Sequence, residues 1–389
     1  TLSHATYYPD SEHFSFQRSD FYTSVRMYSS RVHNMEVPYN SEGLLNHHRG
    51  DGVNHISVTG DEYYNIWPVY DYQKIPGTTV MQKPKLSSPE DIQKLGETDF
   101  VGAVTDGVYG AVAFDFKSPH DPLVARKSWF FFDEEYVCLG AGISCKNDAL
   151  PVVTTINQCL LRSDVHVSWD QERGVIRKGE KEFPGAPWIY HDNVGYVFPQ
   201  ITPTNPIIKN DSTSGSWWRI NRQTDSSKDT VTVDVFKVWI DHGIRPSNAK
   251  YEYIVLPSAT LEETSNYLSS NQINILSNTP YIQAVKNNQL GICQAVFYKA
   301  GEIQISDNLK LAAQNPGIVM IKTDGKKITE LSVADPNQEL KVFHISVSAK
   351  IKSKGENYQA FWNKEKKATE ILIELPKDVY KGESVVLNF

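Results

Sequence analysis

The sequence predicts an all-β protein in two bodies, a large antiparallel β-sandwich of several sheets followed by a smaller C-terminal β-sandwich. Three observations predict it. Apolar residues alternate with a period of two from end to end, helical signals are few, and a fresh series of short strands begins after the one long helical segment. At 389 residues the chain is long enough for two or three cores, and its 40% hydrophobic and 22% charged residues are ordinary for a folded protein.

The elements follow in chain order. In SSPEDIQKLG, Ser88 as cap, Pro89 at the first helical position and Gly96 as stop predict a helix of about two turns. Residues 202–217 (TPTNPIIKNDSTSGSW) and 269–280 (SSNQINILSNTP) are rich in Asn, Ser, Gly and Pro and read as turn clusters. In DTVTVDVFKVWIDHG the apolar set switches from Val231, Val233 and Val235 to Phe236, Val238 and Ile240, which suggests a bulge or a strand buried on both faces. SATLEETSNYLSSN carries the capping-box pair Thr260 and Glu263, with Leu261 and Leu268 on one helical face. Beyond a boundary near residue 278, Phe343, Ile345, Val347, Ala349 and Ile351 share one strand face, as do Ile371, Ile373 and Leu375. Residues 1–278 and 279–389 are the two expected domains.

Charge and composition exclude some functions. A net charge of −7 does not attract nucleic acid, so a polyanion would need a local basic site. No run approaches the ~18–20 apolar residues that span a bilayer, so no membrane partner is expected. The opening TLSHATYYPD has neither a starting Met nor an apolar signal segment, which suggests a parent chain extending upstream. Cys138, Cys145, Cys159 and Cys293 show no zinc spacing and read as buried strand thiols.

The common catalytic motifs are missing. There is no GxSxG elbow, no P-loop and no HExxH, and GAGIS (140–144) lacks the third glycine of a dinucleotide loop. Paired carboxylates of a glycoside hydrolase are neither supported nor excluded among 46 acidic residues.

The richest polar concentration is NMEVPYNSEGLLNHHRGDG, residues 34–52. Glu36 and Asn40 can together accept from and donate to a substrate or a cationic partner. Tyr39, His47 and His48 can carry protons, and Arg49 can pair with an anion. Residue types alone favour the plainer reading, a solvated loop whose Asn, Gly and Asp set turns.

This stretch does not stand alone. SSRVHNMEVPYNSEGLLNHHRGDG (29–52), DEYYNIWPVYDYQKIPGTT (61–79), FVGAVTDGVYGAVAFDF (100–116), RKSWFFFDEEYVCLGAGIS (126–144), WIYHDNVGYVFP (188–199) and DVFKVWIDHGIRPSNAKYEYIVLP (234–257) follow in order. Together they resemble the polysaccharide lyase family that includes chondroitin AC, hyaluronate and xanthan lyases. The likeness is strongest to the chondroitin AC members through EYYNI, DGVYGA and WFFFD.

The resemblance implies a secreted or periplasmic bacterial enzyme that cuts an acidic polysaccharide by β-elimination. It also implies that an Asn, a His, a Tyr and an Arg on an N-terminal α-helical toroid carry the chemistry, and these 389 residues contain no match to that His and Tyr motif. The expected partner of this chain is therefore a toroid of the same protein. Glu36 matches the glutamate that orients the catalytic His and Arg from the edge of the cleft. Asn40 matches an asparagine that follows it closely, here one position later than in the family pattern. Arg49 and His48 are the nearest local cations for substrate contact. Family members can hold calcium around the PVYDYQKIPGTTVMQ stretch; this chain keeps Asp71 but has Gln73 and Gln82 at positions acidic in that pattern, so no cofactor or metal is expected.

His191 with Asp192 imitates a catalytic dyad, and Trp217 with Trp218 a sugar platform. Both pairs read better as structural, the tryptophans because neighbours on a strand point to opposite faces. Two functions remain: the β portion of a lyase, with xanthan specificity as its enzymatic alternative, or a carbohydrate-binding or scaffold module without chemistry.

Overall fold

The long apolar runs in the middle of the chain have their reason in a nine-stranded antiparallel sheet covered on both faces. The computed structural model describes residues 2–169, 172–199, 204–325, 327–351 and 355–389. From one edge the sheet runs Val101–Thr105, Gly110–Lys117, Leu123–Phe131, Tyr136–Cys145 and Ala249–Pro257. It continues through Val194–Val197, Trp188–His191 and Val165–Trp169 to Glu172–Ile176. Alternation sends Val112, Phe114, Phe116, Trp129, Phe131, Tyr136 and Cys138 to one core. Their neighbours Ala111, Ala113, Phe130, Phe132, Val137 and Leu139 go to another. A strand with two buried faces needs no polar side, so Trp129, Phe130, Phe131 and Phe132 follow one another without a polar residue.

Four layers result. The first holds a four-stranded sheet (His4–Tyr8, His13–Gln17, Tyr22–Arg26, Ile56–Ser57) and a five-stranded sheet (Thr79–Met81, Pro151–Leu160, Gly179–Glu182, Pro206–Gly215, Val231–Ile244). Phe14, Phe16, Ile156, Ile208, Phe236 and Val238 from these sheets fill the core they share with the nine-stranded sheet. The third layer is a six-stranded sheet that gives Val285, Ile292, Val296, Ile318 and Met320 to the nine-stranded sheet. Its other face carries Cys293, Ala295, Phe297, Val319 and Ile321, and packs on the terminal five-stranded sheet bearing Phe343, Ile345, Val347, Ile371 and Ile373. Each such fully buried aromatic or aliphatic side chain contributes roughly 1.5–3 kcal/mol by leaving water.

The seam between the second and third layers also contains polar groups. Ser128 donates to Gln283 at 2.6 Å and Asn287 to Glu135 at 2.7 Å. Burial raises the Glu135 carboxyl to about 7.

Several expectations change here. The helix over 88–96 is only a 3-10 turn, Pro89–Asp91, with no side-chain cap from Ser88; the chain then bridges His33 to Leu95 instead of coiling. Residues 206–215 are a ten-residue strand, not a turn cluster: Ser214 and Thr232 bond across the ladder at 2.7 Å, and Ser212 bonds Asp234, so polar side chains are satisfied in extended backbone. Residues 202 and 203 of that stretch lie outside the described residues. Ile273–Asn278, read as part of a turn cluster, is also a strand, paired with Ile282–Asn287.

Val231–Ile244 is a strand with both faces buried at its centre; its register against Pro151–Leu160 shifts between Thr155 and Asn157 and again between Pro151 and Val153, and not at Val235–Phe236. The Thr260–Glu263 capping box is present on the helix Leu261–Asn266, which tightens to a 3-10 turn over Tyr267–Ser270. All four cysteines are free and buried.

Candidate active site

The outer face of the first-layer five-stranded sheet is covered by irregular chain, and this cover carries the candidate site. Val53, Ile66, Val69, Tyr70, Ile75 and Ile220 pack there against Val235, with Trp67 and Trp217 partly buried beside them. The segment 34–52 runs through this cover. Gly43 (φ +66°) and Gly52 (φ +83°) turn it; a Cβ on Gly52 would lie 2.7 Å from the Trp129 ring.

The histidines of this segment face inward. His47 and His48 sit on the 3-10 turn Asn46–His48, each 1% exposed. The Nδ1 of His48 is 2.8 Å from Asp51 Oδ2, and the ring of His120 lies 5.6 Å from that of His47 and 6.0 Å from that of His48. Burial lowers His47, and lowers His120 to about 4. His48, expected as a substrate contact, is therefore a buried strut of the loop. Burial also defeats the solvated-loop reading for this half of the segment.

Beneath it stands Lys127, 0% exposed. Its ammonium donates to Asp51 O at 2.8 Å and Gly77 O at 2.6 Å, tying the site loop to the 75–79 turn, and the Trp129 ring centroid is 5.3 Å away. Burial lowers its pKa to about 7, against the pull of Asp51.

The other half of the segment faces solvent. Glu36 and Asn40 are exposed. Asn40 donates to Glu42 at 3.0 Å, and among the described residues no hydrogen bond joins it to Glu36. Arg49 is half-buried, its guanidinium 5.3 Å from the Trp67 ring centroid. Next to Glu36, Val37 and Pro38 enter the wall of a groove of about 970 Å³ that continues over Leu45, Tyr72, Lys85 and Arg219.

The far wall is a loop that residue patterns did not single out as a site. Trp217 and Trp218, expected on an alternating strand, stand instead on the 3-10 turn Trp217–Arg219, each half-buried. The loop is joined to the Glu36 side by Leu44 N–Ile220 O (3.1 Å), Arg222 N–Ser41 O (2.9 Å) and Asn221 Nδ2–Glu42 Oε1 (3.3 Å). The spacing of two arginines after two tryptophans in WWRINR was the available signal.

The dyad imitation is structural. His191 is 1% exposed and stacked on Phe236 at 4.4 Å, and burial pushes it down to about 3.

The residues around Asp71 do not fit a calcium ion. Lys74 Nζ lies 3.4 Å from Asp71 Oδ2 and 2.5 Å from Gln82 Oε1, and Gln73 donates to Lys83 O at 2.7 Å. An ammonium thus already supplies positive charge between the would-be ligands, and the two glutamines bring no carboxylate.

Stacked antiparallel layers with a groove walled by irregular loops define a multi-sheet sandwich protein. The super-sandwich domain of polysaccharide lyase family 8 matches residues 3–268, and the C-terminal β-sandwich domain of that family matches residues 274–343. The chain belongs to polysaccharide lyase family 8. A chondroitinase-AC of Pedobacter heparinus is 39% identical over 330 residues, 83% of this chain and 45% of the relative. A hyaluronate lyase of Thermasporomyces composti is 31% identical over 327 residues, 81% of this chain and 40% of the relative.

A solved chondroitinase AC lyase superposes with a TM-score of 0.86 at 34% identity, covering 99% of this chain and 54% of that one. A Paenibacillus xanthan lyase, at 24% identity and a TM-score of 0.88 over 99% of this chain and 37% of that one, shares the fold. The chain spans less than half the length of these curated relatives.

Proposed function

We propose that this chain is the β portion of a secreted or periplasmic lyase that cuts chondroitin or hyaluronan by β-elimination, leaving an unsaturated uronate. The observation that carries the reading is an exposed Glu36, next in the chain to Val37 and Pro38 of the groove wall, in a family 8 chain 39% identical to a chondroitinase-AC. β-Elimination needs three things: neutralisation of the uronate carboxylate, a base at the weakly acidic proton beside it, and an acid for the leaving oxygen. Glu36 accepts hydrogen bonds and so orients cationic or N–H-bearing groups across the cleft; Asn40 adds a donor and an acceptor. The base and acid belong to an α-helical toroid of the same protein.

The inward-facing histidines support this division. His47 and His48 are buried, so their imidazoles are not presented on the exposed surface of the segment. The protein carrying this chain and its toroid should generate ultraviolet absorbance from unsaturated uronate on chondroitin or hyaluronan. A folded, complete protein silent on every uronate polymer would refute the reading, and the binding-module alternative would take its place.

A further inference from the structure

We infer that Arg222 is an anion subsite of the groove, binding a carboxylate or sulfate of the acidic saccharide; this rests on the substrate class proposed above. Arg222 lies where two depressions meet. It lines the 970 Å³ groove together with Lys85 and Arg219, and also a shallower one of about 560 Å³ with Tyr39, Asn40 and Asp225. A saccharide running past Asn40 from one depression to the other passes its guanidinium.

Lys85, in the groove's other wall, is also exposed and without an ion pair among the described residues, but the charges nearest Arg222 in the chain and the sheet wall are engaged elsewhere. Arg219 donates to Tyr70 O at 3.0 Å and Pro68 O at 3.3 Å, and its guanidinium lies 5.7 Å from the Tyr72 ring centroid. Asp71 in the same wall is paired with Lys74. The Arg222 guanidinium has no hydrogen bond or ion pair among the described residues, and Asp225, though beside it in the shallow depression, does not pair with it.

The backbone beneath Arg222 is nevertheless fixed. Its own N–H donates to Ser41 O at 2.9 Å, and the preceding residue bridges to Glu42. An exposed, unpaired guanidinium on an anchored backbone, in a chain of net charge −7, is a feature without a structural use. Its five donors in a planar fork match a carboxylate or sulfate. The position also explains how an acidic protein can hold an acidic polymer: the attraction is local, within a Debye length of ~8 Å at physiological salt.

The test compares wild type, Arg222→Gln and Arg222→Lys of the complete protein. Binding of unsulfated chondroitin, chondroitin 4-sulfate and chondroitin 6-sulfate oligosaccharides is measured by calorimetry at two salt concentrations, with turnover followed in parallel. Arg222→Gln should weaken binding about tenfold and flatten its salt dependence, Arg222→Lys should recover part of the loss, and the effect should fall on KM with kcat nearly unchanged. A loss confined to one sulfated polymer identifies sulfate; a loss on all three identifies the uronate carboxylate. Equal binding by wild type and Arg222→Gln overturns the assignment while the lyase reading stands. Absence of unsaturated product from wild type overturns the lyase reading, and the binding comparison still decides on Arg222.

Discussion

The loop cover over the first-layer sheet and the terminal sandwich are both held by buried side chains, but they bury different things. The sandwich core is built from Phe297, Phe343, Ile345, Ile371 and their apolar neighbours, and alternation predicts its Phe343–Ile351 and Ile371–Leu375 faces. The loop cover buries an ammonium, a carboxylate and imidazoles: Lys127, Asp51, His47 and His48. An apolar core tolerates rearrangement so long as volume is kept, whereas a buried polar network holds only if each group meets its partner. Lys127 with the carbonyls of Asp51 and Gly77, and His48 with the Asp51 carboxylate, meet that condition and tie the loop to the sheet beneath it.

Substitutions can break this contrast. Phe343→Ala in the terminal sandwich should cost about 3–5 kcal/mol by urea unfolding and leave kcat per folded molecule unchanged. A fall in kcat would mean that the disturbance passes to the groove through the core that the six-stranded sheet shares with the nine-stranded sheet. Lys127→Met keeps the side chain's bulk but strands two buried carbonyls, so about 2–4 kcal/mol is expected, together with reduced turnover because the 46–52 segment loses its anchor. Stability loss without loss of turnover would make Lys127 a mere core residue.

Acid sharpens the comparison further. His120 is lowered to about 4 in the fold, against about 6.5 when unfolded. Between those values the unfolded chain binds more protons than the folded one, so stability is present above pH 6.5 and falls as the pH drops through this window. His120→Gln should flatten the decline, narrowing the change in Tm between pH 7 and 4.5 by about 2 °C or more. Parallel melting curves for both proteins would remove the histidine cluster from the account. The smallest effect concerns calcium: with Lys74 already between Asp71 and Gln82, millimolar calcium or a chelator should move Tm by less than about 1 °C.

How far the sequence could be read follows the same division. Alternation exposes the layers because a strand's period of two is local, and the Thr260–Glu263 box is a local motif as well. Where satisfaction comes from a distant partner, local signals misled. Ser212 and Ser214 look like turn residues until Asp234 and Thr232 meet them across the ladder. His47 and His48 look like surface groups until His120 and Asp51 enclose them. The second wall of the groove was invisible because Arg222 reaches Ser41 across 181 positions of chain. The roles of Glu36 and Asn40 rest on family resemblance, not on residue type; the fold places both on the exposed half of the segment.

The claim that the exposed half of the 34–52 segment is a working cleft wall rests on Glu36. The most direct test is Glu36→Ala in the complete protein, assayed by the ultraviolet absorbance of unsaturated uronate. The prediction is a fall in kcat of about a hundredfold, since orientation of the reacting groups is lost, with Tm unchanged because the side chain is exposed. Turnover at the wild-type rate would contradict it and return the segment to a structural role.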